Sequence, residues 1–148
     1  MENNYFEILE QLENNPEILE MKQYKHHIHT TTFDHCDRVA IYSYLVASKL
    51  HIKVDEESLV RGALLHDYYL YEAKNSVFSA YKHGTQHPEL ALKNACEIFD
   101  LNEKEKNIIR AHMWPLTITH YPHSKEAWLV CLADKICAFQ EFTGWKMN

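Results

Sequence analysis

No apolar run in this chain of 148 residues approaches the roughly 18 needed to cross a bilayer, so no membrane span is expected. The opening residues, Met1-Glu2-Asn3-Asn4, lack a basic region followed by an apolar one. No secretory leader is therefore expected, and the cytoplasm is the expected compartment. An excess of basic charge is also missing: 15 Lys and Arg stand against 21 Asp and Glu, for a net charge of -6. Broad nucleic-acid or anionic-membrane binding needs a concentrated basic surface, so neither is expected. A nucleotide in a pocket is compatible with this balance, because a bound metal can reverse the local field. The four cysteines, Cys36, Cys96, Cys131 and Cys137, contain no Cys-x-x-Cys pair, which argues against a cysteine-built zinc site. In their apolar, helix-like settings, Cys96, Cys131 and Cys137 read as small hydrophobes, and Cys36 beside His35 as core filler. No repeat, low-complexity tract or linker divides the chain, and its length suits one domain with one core.

What is present reads as helices throughout. Pro16-Glu17 opens a helix expected to reach about residue 25, because Pro at the first helical position gives up no needed N–H. Residues 26–32 are polar and broken, and read as a loop or cap. Residues 33–50 carry Val39, Tyr42, Val46 and Leu50 at helical spacing. Asp55 caps the next helix, with Glu56 and Glu57 in its positive first turn, and that helix runs to His66-Asp67. Residues 71–86 read as a long and therefore functional connection, followed by a helix opened by Pro88 and ending near Phe99. Asn102 with Glu105 forms a capping-box pattern for a helix that Trp114-Pro115 ends. Ser124 starts a last helix through Trp128, Leu132 and Phe139 that Gly144 terminates.

Against this apolar patterning, several polar residues stand out. His66-Asp67 closes the apolar run of residues 59–65, and Asp134 interrupts another between Leu132-Ala133 and Ile136. A lone buried carboxylate is costly unless it is paired or bound to metal. His35 lies near a helix start, His87 beside Pro88, and His112 at a helix end. Residues at helix ends can converge on one cavity, and a metal ion accepts several histidines and carboxylates at once. The competing reading pairs Asp134 with Arg38 or Arg61 and leaves each histidine as an ordinary hydrogen-bonded residue.

The strings Phe33-Asp34-His35-Cys36-Asp37-Arg38-Val39-Ala40, Gly62-Ala63-Leu64-Leu65-His66-Asp67 and Leu132-Ala133-Asp134-Lys135-Ile136 resemble the HD superfamily of metal-dependent phosphohydrolases. The likeness spans roughly residues 27–140. It implies an all-α, single-domain HD-type helical bundle of about six or seven helices over residues 1–148. It implies that His35, His66, Asp67 and Asp134 hold a first metal. His87 and His112 match the extra histidines of the two-metal members, with Asp67 bridging. The expected cofactor is one or two divalent ions of Fe, Mn, Co, Ni or Zn, which suit mixed imidazole and carboxylate donors. The implied reaction is hydrolysis of a phosphate mono- or diester or anhydride by a metal-bound hydroxide, on a nucleotide or other small phosphate compound.

Asp67 is then central to catalysis, with Lys135 and His27 as candidate catalytic groups. His27, Thr30, Arg38, His83 and Lys135 are candidates for holding substrate phosphate. Leu70 stands where many two-metal members have Lys, and the Gly-Tyr-Pro motif of the cyclic-dinucleotide branch is missing, so no cyclic-dinucleotide specificity is implied. Two other outcomes fit the same ligand pattern: a di-iron oxygenase of the superfamily, and a non-catalytic nucleotide-binding regulatory domain.

Overall fold

A computed structural model describes residues 4–27, 30–69 and 77–144; the side chains of residues 27 and 77–83 lie outside that description. The described residues form an all-α bundle with one small hairpin. Its helices are α1 (Asn4–Glu13), α2 (Pro16–Leu19), α3 (Thr32–Lys49), α4 (Glu56–Leu65), α5 (Val77–Ile98), α6 (Glu103–Ala111) and α7 (Lys125–Thr143). A 3-10 turn (Glu20–Gln23) and strands β1 (Lys25–His27) and β2 (Thr30–Thr31) join α2 to α3.

The helix starts follow local chemistry. The Thr31 hydroxyl accepts from the Asp34 N–H at 3.1 Å, and the Asp34 carboxylate accepts from the Thr31 N–H at 3.3 Å. This reciprocal pair fixes the first turn of α3, where His35 sits. Asp55 caps α4 through the Ser58 N–H, and Asn102 and Glu105 close a capping box on α6. Ser124 caps α7, which ends on Gly144 in the left-handed conformation, φ 78°.

Helix α3 packs on α4 and α7, and α6 packs on the same two, so these four close a ring around the core. Helix α5 lies on α6, and α1 lies on α4. Leu59, Leu64, Leu65, Ile108 and Ile109 are buried at the α4–α6 seam and nearby, each contributing about 1.5–3 kcal/mol by leaving water. The seam is tight because of one residue. A Cβ on Gly62 would lie 2.7 Å from both Cδ1 and Cγ2 of Ile108.

Several sequence expectations need correction. Helix α1 was not foreseen; it buries Tyr5 and Leu9, and the Tyr5 hydroxyl donates to the Ala40 carbonyl at 2.5 Å. The helix opened by Pro16 ends at Leu19 and gives way to a 3-10 turn and then, from Lys25, to a strand. Within the segment read as a loop, β1 and β2 pair antiparallel, with Lys25 opposite Thr31 and His27 opposite Thr30, and Thr32 already begins α3. Pro88 does not open a helix: it lies inside α5, which already begins at Val77. Of the expected long connection, residues 71–76 lie outside the described residues, and residues 77–86 are helical. Leu50, Trp128, Leu132 and Phe139 were read as apolar-stripe residues but are exposed, as is Phe142. Helix α7 is therefore apolar on more than its inward face.

Two outcomes follow from the packing. Gly62→Ala overpacks the α4–α6 seam and costs about 1–3 kcal/mol, and Ile108→Ala in the same chain is less damaging than the two single changes added together. Thermal denaturation of the two single variants and the double variant measures this coupling. The second outcome concerns Glu13, whose carboxyl is pushed up to about 8 by burial, by a hydrogen bond with Asp37 and by the Asp37 charge. A carboxyl raised in the folded state gives stability that is complete below its ordinary value of 4.5 and is lost as pH rises through about 8. Glu13→Gln removes that titration. Its melting temperature relative to the unaltered protein rises between pH 5 and pH 9, as a pH series of melts would show.

Candidate metal centre

Two helices end on histidine in the same way. His66 follows the last residue of α4 and His112 the last residue of α6, each as the C-cap. The last carbonyls of a helix lack intrahelical partners. His66 Nδ1 lies 2.6 Å from the Ala63 carbonyl, and His112 Nδ1 lies 2.7 Å from the Ile109 carbonyl. A carbonyl oxygen only accepts, so Nδ1 carries the proton in both rings and Nε2 is turned into the bundle. Helix α3 presents His35, α5 presents His87, and α7 presents Asp134; all are buried.

These side chains meet in two groups that share Asp67. In the first, Asp134 Oδ1 lies 2.8 Å from His35 Nε2 and 3.2 Å from His66 Nε2. Asp67 Oδ2 lies 3.4 Å and 3.3 Å from the same two nitrogens. In the second, Asp67 Oδ1 lies 3.1 Å from His87 Nε2 and 3.2 Å from His112 Nε2. Those two nitrogens are 2.8 Å apart. All six residues that the sequence singled out as metal-binding are thus brought together. The alternative partners of Asp134 are engaged elsewhere. Arg38 donates to Gln140, and Arg61 pairs with Glu105 and donates to the Asp100 carbonyl.

The electrostatics favour a cation. Burial alone would raise the Asp67 carboxyl, yet the imidazoles of His66 and His87 hold it well below the usual range. Burial likewise opposes ionisation of Asp134, and hydrogen bonds from His35 and His66 hold it well below. Burial would lower His66, but the Asp67 charge and the hydrogen bond to Asp134 push it well above its ordinary value. His112 is lowered chiefly by burial, which keeps its Nε2 lone pair available. Asp67 Oδ1 is buried without a hydrogen bond of proper geometry, although two imidazole nitrogens face it. An orphaned carboxylate oxygen facing two converging Nε2 atoms is what a cation would satisfy. Imidazole nitrogen mixed with carboxylate oxygen fits a divalent transition ion. The buried groups can therefore hold metal ions: one among His35, His66, Asp67 and Asp134, and another among Asp67, His87 and His112.

The substrate candidates are placed less uniformly. Lys135 is exposed, and its amine lies 3.3 Å from the His112 carbonyl and 3.1 Å from Cys131 Sγ, so it ties α7 to the end of α6. Arg38 is on Gln140, and Thr30 is half-buried in β2. The side chains of His27 and His83 lie outside the described residues. Two groups at the centre were not singled out. His26, set aside as having no special role, lies with Nε2 3.0 Å from Asp67 Oδ2. Glu141 has Oε2 2.7 Å from His35 Nδ1. Glu141 carried a readable signal: it lies seven residues after Asp134, two turns along the same helix face. His26 and His27 are adjacent on a strand, where neighbours face opposite ways, so the sequence could not choose between them.

The family profile of the HD domain matches residues 32–138, and the chain belongs to that family. HD domains are typically metal-dependent hydrolases. Comparison with curated proteins and with solved structures gives no match.

A divalent ion present at about 100 times its dissociation constant stabilises the fold by about 2.7 kcal/mol. Melts with and without a chelator read this directly. Asp67→Ala is expected to abolish the metal-dependent rise, because both groups lose an oxygen. His112→Ala is expected to lower the bound metal toward one ion per chain by elemental analysis.

Proposed function

We propose that this protein is a metal-dependent phosphohydrolase that cleaves a phosphate mono- or diester or anhydride of a nucleotide or another small phosphate compound. The observation that carries this reading is the division of Asp67 between two imidazole groups, Oδ2 toward His35 and His66 and Oδ1 toward His87 and His112. Divalent ions held by such a set lower the pKa of water and neutralise charge on phosphoryl oxygens.

The chain's own residues supply the frame for that chemistry. His35, His66 and Asp134 would hold one ion and His87 and His112 another, with Asp67 offering an oxygen to each group. The carbonyls of Ala63 and Ile109 keep Nε2 of His66 and His112 aimed inward. Lys135, bonded to the His112 carbonyl, steadies the α6 terminus rather than reaching a phosphate. The substrate is small: a net charge of -6 does not suit a long polyanion. Tyr69 packs edge-on against His87 of the second group, ring centroids 5.5 Å apart. Tyr68 is fully buried and donates to the Glu17 carbonyl, which makes it a core residue rather than a platform for a base.

The test is a metal-supplemented screen of nucleotides, cyclic nucleotides, dinucleotides and sugar phosphates, read by phosphate or nucleoside release. Turnover is expected with Mn, Co, Fe, Ni or Zn, and is expected to fall to the metal-free level in Asp67→Asn. Undiminished hydrolysis by metal-free protein would overturn the reading. Oxygen uptake with an organic substrate, in place of phosphate release, would move the chemistry to an oxygenase.

A further inference from the structure

We propose that Glu141 and His26 are positioning residues of the metal centre, in which one carboxylate orients two stacked imidazoles and through them sets both the ligand His35 and the shared carboxylate Asp67. The inference deepens the reading above and rests on it.

Each part of the clamp has a defined contact. Glu141 Oε2 lies 2.7 Å from His35 Nδ1, and both side chains are wholly buried. An ionised carboxylate only accepts, so Nδ1 carries the proton and Nε2 of His35 is directed at Asp134 and Asp67. The His26 ring lies on the His35 ring face to face, with centroids 4.0 Å apart and planes 9° apart. His26 Nδ1 is 3.6 Å from the other Glu141 oxygen, Oε1. His26 Nε2 meets Asp67 Oδ2 at 3.0 Å.

The consequence falls on Asp67. The terminal torsion of an aspartate is soft and broad. A carboxylate that serves two ions must hold its plane fixed, and His26 grips one of its oxygens while the other faces His87 and His112. Besides His35 of α3, the clamp draws on three further elements. His26 comes from strand β1, Glu141 from the end of α7, and Asp67 from the residue after the C-cap of α4. A buried carboxylate between imidazoles is a poor choice for stability alone, since apolar side chains of similar size do as well or better. Orientation of a ligand is the role that explains it, as outer groups on metal-bound histidine fix the ring and its basicity.

The test uses the full chain and Co(II), with affinity measured by competition against a chelator and geometry by the visible absorption of the bound ion. Glu141→Ala removes the acceptor, and His26→Phe keeps the stacked ring but removes the contact with Asp67. Each is expected to lose about 10–100-fold in Co(II) affinity and to shift the absorption band. Glu141→Gln and His26→Gln restore an acceptor or a donor, and are expected to lie closer to the unaltered protein than their partners. Unchanged affinity and spectrum in both Glu141→Ala and His26→Phe, with only the metal-free melting temperature moved, would overturn the proposal. If Glu141→Ala does not fold, His26→Phe decides alone. Failure of the unaltered protein to bind Co(II) at all would instead remove the metal reading on which the clamp rests.

Discussion

Three carboxylates, those of Asp67, Asp134 and Glu141, are sunk into one end of a helical bundle and face imidazoles. That is the constraint on which the rest of the structure depends. Burying negative charge is expensive unless an opposite charge is at hand. The nearby permanent cations are engaged elsewhere: Arg38 on Gln140, Arg61 on Glu105, and Lys135 on backbone carbonyls and a cysteine sulfur. Among the described residues, the positive charge facing these carboxylates is that of protonated histidine, and bound ions would supply more. Asp67 Oδ1 faces the Nε2 atoms of both His87 and His112, where a cation could sit among the three.

Helix termini solve the problem of aiming the imidazoles. A histidine at a C-cap can spend one ring nitrogen on a carbonyl that the helix leaves unpaired, and the other nitrogen is then fixed in direction. Helices α4 and α6 use this device in parallel, through His66 on Ala63 and His112 on Ile109. About one turn before those two rings, Gly62 lets Ile108 come closer than a side chain there would allow.

Local chemistry explains what the sequence made legible. The caps at Asp55, Asn102, Ser124 and Gly144 are short-range events between neighbours in the chain, and each is found where its residues stand. His66-Asp67 and Asp134 stood out as polar groups in apolar runs that need a partner, and the ligand set of His35, His66, Asp67, His87, His112 and Asp134 was what the resemblance implied. What failed were inferences with two physical solutions. Proline at residue 88 is acceptable at a helix start or, at a cost in one backbone bond, within a helix; the chain takes the second course. The segment read as a loop contains strands β1 and β2, which pair with each other, and His26 of β1 meets Asp67, 41 residues away. The exposed face of α7, with Trp128, Leu132 and Phe142, follows helical spacing as faithfully as a core stripe does. Periodicity alone does not say which of two apolar faces turns inward.

The dipeptide Asp134-Lys135 illustrates how far adjacency in sequence departs from adjacency in space. Successive helix residues diverge by about 100° around the axis, so two neighbours cannot both aim at one ion pair. Asp134 faces the histidines of α3 and α4, while the Lys135 amine turns back onto the Cys131 carbonyl one turn earlier and across to the carbonyl of His112. One residue thus joins the first group of ligands, and the next secures the backbone of a residue in the second. Helix α7 reaches both halves of the centre by using two of its faces, and Glu141, two turns beyond Asp134, returns it to the first.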